Sequence, residues 1–221
     1  MSDFSNPKLT PWGYIADSET IADFITVNDF VSFTGGKFSA SDTRIAANIP
    51  SATQAIRNYC GWHIAPSLVC GIYCRVADLR NVIVGRDLLI QIPANFVSSV
   101  SKVVINASLD PDTGDYIGDL MTEYDITPGG LLRVYDVNRV DRKSKVFVKY
   151  TAGLSGDDIP AIKELTADLV THSVTSPYGV NSEAVGGVSV SYNATWAGQS
   201  STGLTNNTRE VLEPYKLRGV F

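Results

Sequence analysis

The chain has 221 residues, of which 44% are hydrophobic and 19% charged, and its formal net charge is −5. That length allows one elaborated domain or two small ones, and the apolar share supports a packed core and excludes wholesale disorder. An acidic chain is poorly suited to gripping phosphate backbones, which takes clustered Lys and Arg, but it suits a surface past which nucleic acid slides.

Residues 1–17 are rich in Pro, Asn and Ser and read as a flexible N-terminal arm. They lack the basic and then apolar run of a secretory signal. No stretch approaches the roughly 20 apolar residues of a membrane helix. Three cysteines is an odd count, so a disulfide framework is not expected and a reducing cytoplasm is the simplest compartment.

From Ser18 to Phe33, the positions of Ile21, Phe24, Ile25 and Phe30 predict a first helix, capped by Ser18 and stopped at Gly35 and Gly36. Ile45, Ile49, Ala52, Ile56 and Tyr59 then recur at steps of four, three, four and three, an apolar stripe on a helix over 41–59. Pro50 falls inside it. A proline there lacks the N–H and crowds the carbonyl of Ala46, which predicts a kink or a break. Gly61 supplies the stop.

Residues 67–152 change character. Short β-branched runs are punctuated by Asp110-Pro111, Pro128-Gly129-Gly130 and Asn138-Arg139, which predicts a mostly antiparallel β-region. Helical periodicity returns at Asp157, with Pro160 in the first turn, Ile162, Leu165 and Leu169 on the apolar face, and Pro177 at the end. Ile56 and Leu165 are expected to be buried on facing helices. Val188, Val190 and Tyr192 alternate with Ser189, Ser191 and Asn193, so residues 184–196 read as a half-buried strand. A helix from Thr205 to Tyr215 and a short tail close the chain. The fold class is therefore α+β: a small helical bundle core (18–66 and 153–221), a large antiparallel β insertion (67–152) and a C-terminal helix.

The densest group of metal-binding side chains is Cys60, His63, Cys70 and Cys74. Its Cys-x2-His and Cys-x3-Cys spacings differ from zinc ribbons and knuckles. On an extended strand Cys70 and Cys74 would lie about 13 Å apart, too far for one ion. Buried thiols are expected, with no metal and no cofactor. Asp110, Asp112, Gly114 and Asp115 mimic a calcium loop, but Met121 stands where a bidentate Glu belongs, and a polar turn is expected. His172 lies near a helix end, where it suits the last carbonyls. Neither a nucleophile elbow nor a phosphate-cradling glycine loop is present. The chain does not read as an enzyme.

Arg139, Arg142, Lys143, Lys145 and Lys149 surround a hairpin tip, with Asp141 among them. A solvated hairpin is the plainer reading. Arg139, Arg142, Lys143 and Lys145 are the residues that would touch DNA or an acidic partner.

Two stretches then stand out together. The first is SATQAIRNYCGWHIAP, residues 51–66. The second runs from KVFVKYTAGLSGDDIPAIKELTADLVTHSVTSP through SEAVGGVSVSYNATW to REVLEPYKL. This order resembles the head–tail connector (adaptor, head completion) proteins of long-tailed bacteriophages, over two thirds of the chain. The resemblance implies a mostly α-helical virion protein, made in the host cytoplasm, that forms a homo-oligomeric ring, commonly twelvefold. The ring would sit beneath the portal protein, extend the DNA channel and carry the tail or stopper protein, with genomic DNA passing through unbound. The long β-region departs from the smaller members.

It further implies that the helical domain and chain end dock on the portal. Tyr215, Lys216, Leu217, Arg218 and Phe221 are aromatic, apolar and basic, types that anchor a partner; the alternative is a tail packed on its own subunit. A second reading is a small-ligand or carbohydrate-binding β-module with helical supports, its ten tyrosines and three tryptophans lining a groove.

Overall fold

In a computed structural model the chain divides into two compact units. One comprises Met1–Ile21, Trp62–Ser155 and Leu217–Phe221, the other Ala22–Gly61 and Gly156–Lys216. The structure describes residues 4, 6–18, 20–77, 82–127, 129–137, 140–175, 182–185, 188–191, 204 and 206–217. The fold is mixed α+β and mostly β; a helical bundle as its core is too narrow a description, because strands contribute more of the buried apolar side chains than helices do.

Among the described residues the first unit holds ten strands: β1 (Pro7–Leu9), β2 (Ile15–Asp17), β3 (Leu68–Arg75), β4 (Val82–Val84), β5 (Asp87–Gln91), β6 (Val97–Leu109), β7 (Tyr116–Leu120), β8 (Tyr124–Ile126), β9 (Leu131–Val134) and β10 (Lys145–Ala152). Six form one antiparallel sheet in the order β1-β2-β3-β10-β6-β7, and four form another in the order β4-β5-β9-β8. Period-two alternation explains both. In the small sheet Leu88, Ile90, Leu132 and Val134 are fully buried while the intervening Arg133 reaches across the ladder to Asp87.

In the large sheet Cys70, Ile72, Val103, Val146, Val148 and Tyr150 share one buried face. Phe147, Tyr73 and Tyr116 lie on the other, where Tyr116 stacks on Phe147 with centroids 3.9 Å apart. Residues 7–17, expected as part of a flexible arm, supply β1 and β2 to this sheet. Phe4, just before them, lies over Gly71, where an added Cβ would come within 2.5 Å of its Cζ. Gly71 therefore leaves the hollow that Phe4 fills.

The second unit holds α1 (Val27–Phe33), α2 (Thr43–Cys60), α3 (Pro160–Thr175), α4 (Asn206–Leu212) and the strands β11 (Ser182–Val185) and β12 (Val188–Ser191). The first helix starts at Val27, not at Ser18. Residues 22–24 are instead tied to side chains of α2: Arg57 Nη2 donates to the Ala22 carbonyl at 2.6 Å, and the Phe24 N–H donates to Thr53 Oγ1 at 3.4 Å. Thr26 caps α1 in a reciprocal box with Asp29. The Thr26 backbone N–H holds the Asp29 carboxyl below its ordinary pKa, so this stabilisation is present above the unfolded carboxylate pKa of about 3.9 and is lost as pH falls through the lower folded value. Thr26→Ala should cost about 0.5–2 kcal/mol, measured as a difference in denaturant unfolding at neutral pH.

α2 runs unbroken through Pro50, so of the kink or break expected there, the break does not occur. Ala46 and Pro50 both lie on the exposed side, where the carbonyl that loses its partner meets solvent. The stripe Ile45, Ile49, Ala52 and Ile56 is buried, Tyr59 is half-buried, and Gly61 ends the helix at φ 81°. On α3 the buried line is Ile162, Thr166, Leu169, Val170 and Val174; Leu165 flanks it and is only half-buried. Leu165→Ala should therefore cost less than the roughly 2–5 kcal/mol of a fully buried leucine. Ile56→Val, on a residue with no exposure, should cost about 0.5–1.5 kcal/mol. Thermal melts of the two variants check both values.

The segment expected as one strand over 184–196 starts at Ser182 and forms two paired strands; its remainder, including Tyr192 and Asn193, lies outside the described residues, as does Pro177. The C-terminal helix is found over Asn206–Leu212 with a 3-10 turn at Glu213–Tyr215.

Candidate functional site

Parts of the two motifs that carry the resemblance, residues 62–66 and 145–153, meet in the first unit. Trp62 to Pro66 lies against Ala152 and Gly153 at the end of β10. His63 is fully buried, with Nε2 3.1 Å from the Ala152 carbonyl and Nδ1 2.7 Å from Tyr14 Oη. A carbonyl only accepts, so Nε2 carries the proton and Nδ1 accepts from the tyrosine. Tyr14 Oη in turn accepts the His63 backbone N–H at 3.1 Å. The Leu154 N–H donates to the Ile64 carbonyl at 2.8 Å, and Trp62, also fully buried, packs its ring on His63 and Phe96. Ile64 has φ 65°, a left-handed conformation that a β-branched residue adopts only when its surroundings impose it.

This node holds loops together. Both ring nitrogens of His63 are engaged, and burial pushes the Cys60 and Cys70 thiols up to about 12, so both are protonated and unreactive at neutral pH. Among the described residues no group of three His, Cys, Asp or Glu side chains is arranged to hold a metal ion. Trp62, Tyr14, Tyr116 and Tyr150 are buried in the core, which removes them from any ligand groove.

The calcium-like run is the turn between β6 and β7. Asp110 Oδ1 accepts the Asp112 N–H at 2.9 Å, its Oδ2 accepts the Thr113 hydroxyl, and these bonds lower the Asp110 pKa. At the basic hairpin Asp141 plays the same part, accepting the Lys143 and Ser144 N–H groups at 2.8 Å. Arg142 and Lys143 are exposed there, Lys145 lies over the Tyr73 ring at 5.3 Å, and Arg139 lies outside the described residues. His172 sits exposed in the last turn of α3.

At the chain end the structure separates the expected residues. Tyr215 is half-buried, Lys216 lies over the Tyr59 ring at 5.2 Å, and Leu217 is 6% exposed. Leu217 is thus largely buried in the free subunit. Arg218 and Phe221 lie outside the described residues.

What the β-unit presents outward was not legible in the sequence. The edge strands β1 and β7 carry Leu9, 71% exposed, and Leu120, 62% exposed, with Ile117 and Leu109 beside them. Only the short alternations in Pro7–Leu9 and Tyr116–Leu120 signal them. Aliphatic side chains of this size standing out along sheet edges suit a protein that works by contact with other proteins.

That is the class of a structural, assembling protein. The head completion protein family model matches residues 23–217, and the chain belongs to that family: it is a phage head–tail connector protein, a structural component of the virion. The match runs through both units. Among solved structures, a chain described as "Neck of native GTA particle computed with C12 symmetry" is similar at 10% identity and a TM-score of 0.47, over 91% of this chain and 97% of that one. No curated protein matches the chain. No helix among the described residues is long and apolar enough to cross a membrane.

Proposed function

We propose that the chain is the subunit of a homo-oligomeric ring, twelvefold, that docks beneath the portal protein, extends the DNA channel and forms the platform for the tail or stopper protein. The observation that carries this reading is the family match over residues 23–217. The net charge of −5 supports it, because DNA crossing the lumen is not to be held there. Its work is done by surfaces and not by catalysis: the buried histidine and thiols serve packing. Host cells infected with phage lacking this chain should accumulate DNA-filled heads and separate tails. Complete particles in that infection would contradict the reading.

Portal docking is assigned to Tyr215, Lys216, Arg218 and Phe221, with Leu217 fastening the segment to its own chain. Arg139, Arg142, Lys143 and Lys145 form a second, basic contact for an acidic partner or for passing DNA. Removing residues 218–221 leaves Leu217 in place, so the circular dichroism spectrum should not change while portal binding is lost. A truncated chain that binds portal as tightly as the intact one would move the docking surface elsewhere.

A further inference from the structure

The large sheet is antiparallel throughout and, among the described residues, has six strands, an even number. Its two edge strands, β1 and β7, therefore run in opposite directions. A second copy set beside the first in the same orientation brings its own β1 alongside β7 in the antiparallel sense. Such a contact is head-to-tail, and repeated about an axis it closes into a ring.

We propose that β7 of one subunit pairs with β1 of the next, with Asp119 opposite Lys8, so that the large sheets of neighbouring copies join edge to edge. This rests on the ring reading above and names the contact that builds the ring.

The backbone phase supports that register. Bonds from Asp110 N to Asp115 O at 2.8 Å and from Met121 N to Val103 O at 2.9 Å fix the β6–β7 ladder, so Ile117 and Asp119 turn their amides toward β6 while Gly118 and Leu120 turn theirs outward. On β1 the bond from Thr10 N to Tyr14 O at 2.8 Å directs the groups of Lys8 toward β2 and those of Leu9 and Pro7 outward. With Lys8 opposite Asp119, Leu9 meets Gly118 and Pro7 meets Leu120: outward groups meet outward groups. Pro7 has no N–H to give and keeps only its carbonyl, a common state for proline on an edge strand.

The side chains agree with the same register. Following the ladders inward, Lys8 and Asp119 lie on the face of Cys70 and Val146, whereas Leu9 and Leu120 lie on the face of Gly71 and Phe147. The pairing thus sets opposite charges against each other on one face. On the other face it brings the two most exposed large aliphatics of the described residues together, diagonally across Gly118. A second copy satisfies both edges at once; an unrelated peptide strand would satisfy one.

The test is a disulfide. Across a non-hydrogen-bonded antiparallel pair the Cα atoms lie about 4.5 Å apart, within the range a disulfide spans. Inside one copy the two positions are separated by the width of the sheet, about 24 Å at ~4.8 Å per strand, so any bridge is intermolecular. The chain carrying both Lys8→Cys and Asp119→Cys, assembled on the portal protein and oxidised, should give a ladder of covalent oligomers on non-reducing gels, and neither single variant should. Asp119→Lys should weaken ring assembly about tenfold or more, and adding Lys8→Asp should restore it, which a folding defect would not allow. Rings on the portal without the ladder, or full assembly of Asp119→Lys, would overturn the edge pairing and leave the ring reading standing. Failure of the unaltered chain to form any ring on the portal would overturn both.

Discussion

Trp62→Ala should destabilise the protein by about 3–5 kcal/mol, the range for deleting a fully buried aromatic. Trp62 has no exposure, its ring stacks on Phe96 with centroids 6.1 Å apart, and it meets the His63 ring edge-on at 5.3 Å. Removing it opens a cavity beside the buried histidine, whose hydrogen bonds to Tyr14 and Ala152 depend on that ring staying in place. Calorimetry should show the loss, and Tyr14→Phe should show a smaller one, about 1–3 kcal/mol, for the acceptor taken from the His63 N–H. A Trp62→Ala loss below about 1 kcal/mol would mean that the node does not hold the 62–66 loop.

Gly153→Ala should be comparably damaging for a different reason. Gly153 has φ 108°, and a Cβ there would stand 2.5 Å from the Pro66 carbonyl oxygen and 2.7 Å from His63 Nε2. Backbone strain of about 1–3 kcal/mol and the displacement of a packed loop, about 1–3 kcal/mol, act together, for a total of roughly 2–6 kcal/mol. Denaturant unfolding measures it. A near-neutral result would show that the Pro66 loop shifts freely away from β10.

These two positions show what could be read in the sequence. Gly61-Trp62-His63 and Tyr150-Thr151-Ala152-Gly153 stand out as motifs, yet nothing in either says that the other is its partner. The partnership depends on β10 running back along β3, some 80 residues apart in the chain. The stripe of α2 was legible because one buried face over 18 residues repeats several times. α1, with seven residues, gives too few repeats to separate helix from the extended lead-in that Thr53 and Arg57 hold. Pro50 does not break α2 because the rule against proline inside a helix is weakest on an exposed side. Leu217 left two readings open in the sequence because an apolar residue near a chain end reads the same whether it faces a partner or its own subunit. β1 and β7 went unread because three and five residues cannot establish alternation, and their place at the sheet edges follows only from the strand order.

The head–tail role is tested most directly by electron microscopy of the purified chain mixed with the portal protein of the same phage. The predicted result is a ring of copies seated coaxially on the portal, with its channel continuing the portal's own. Bare portals beside folded, monomeric chain would contradict it.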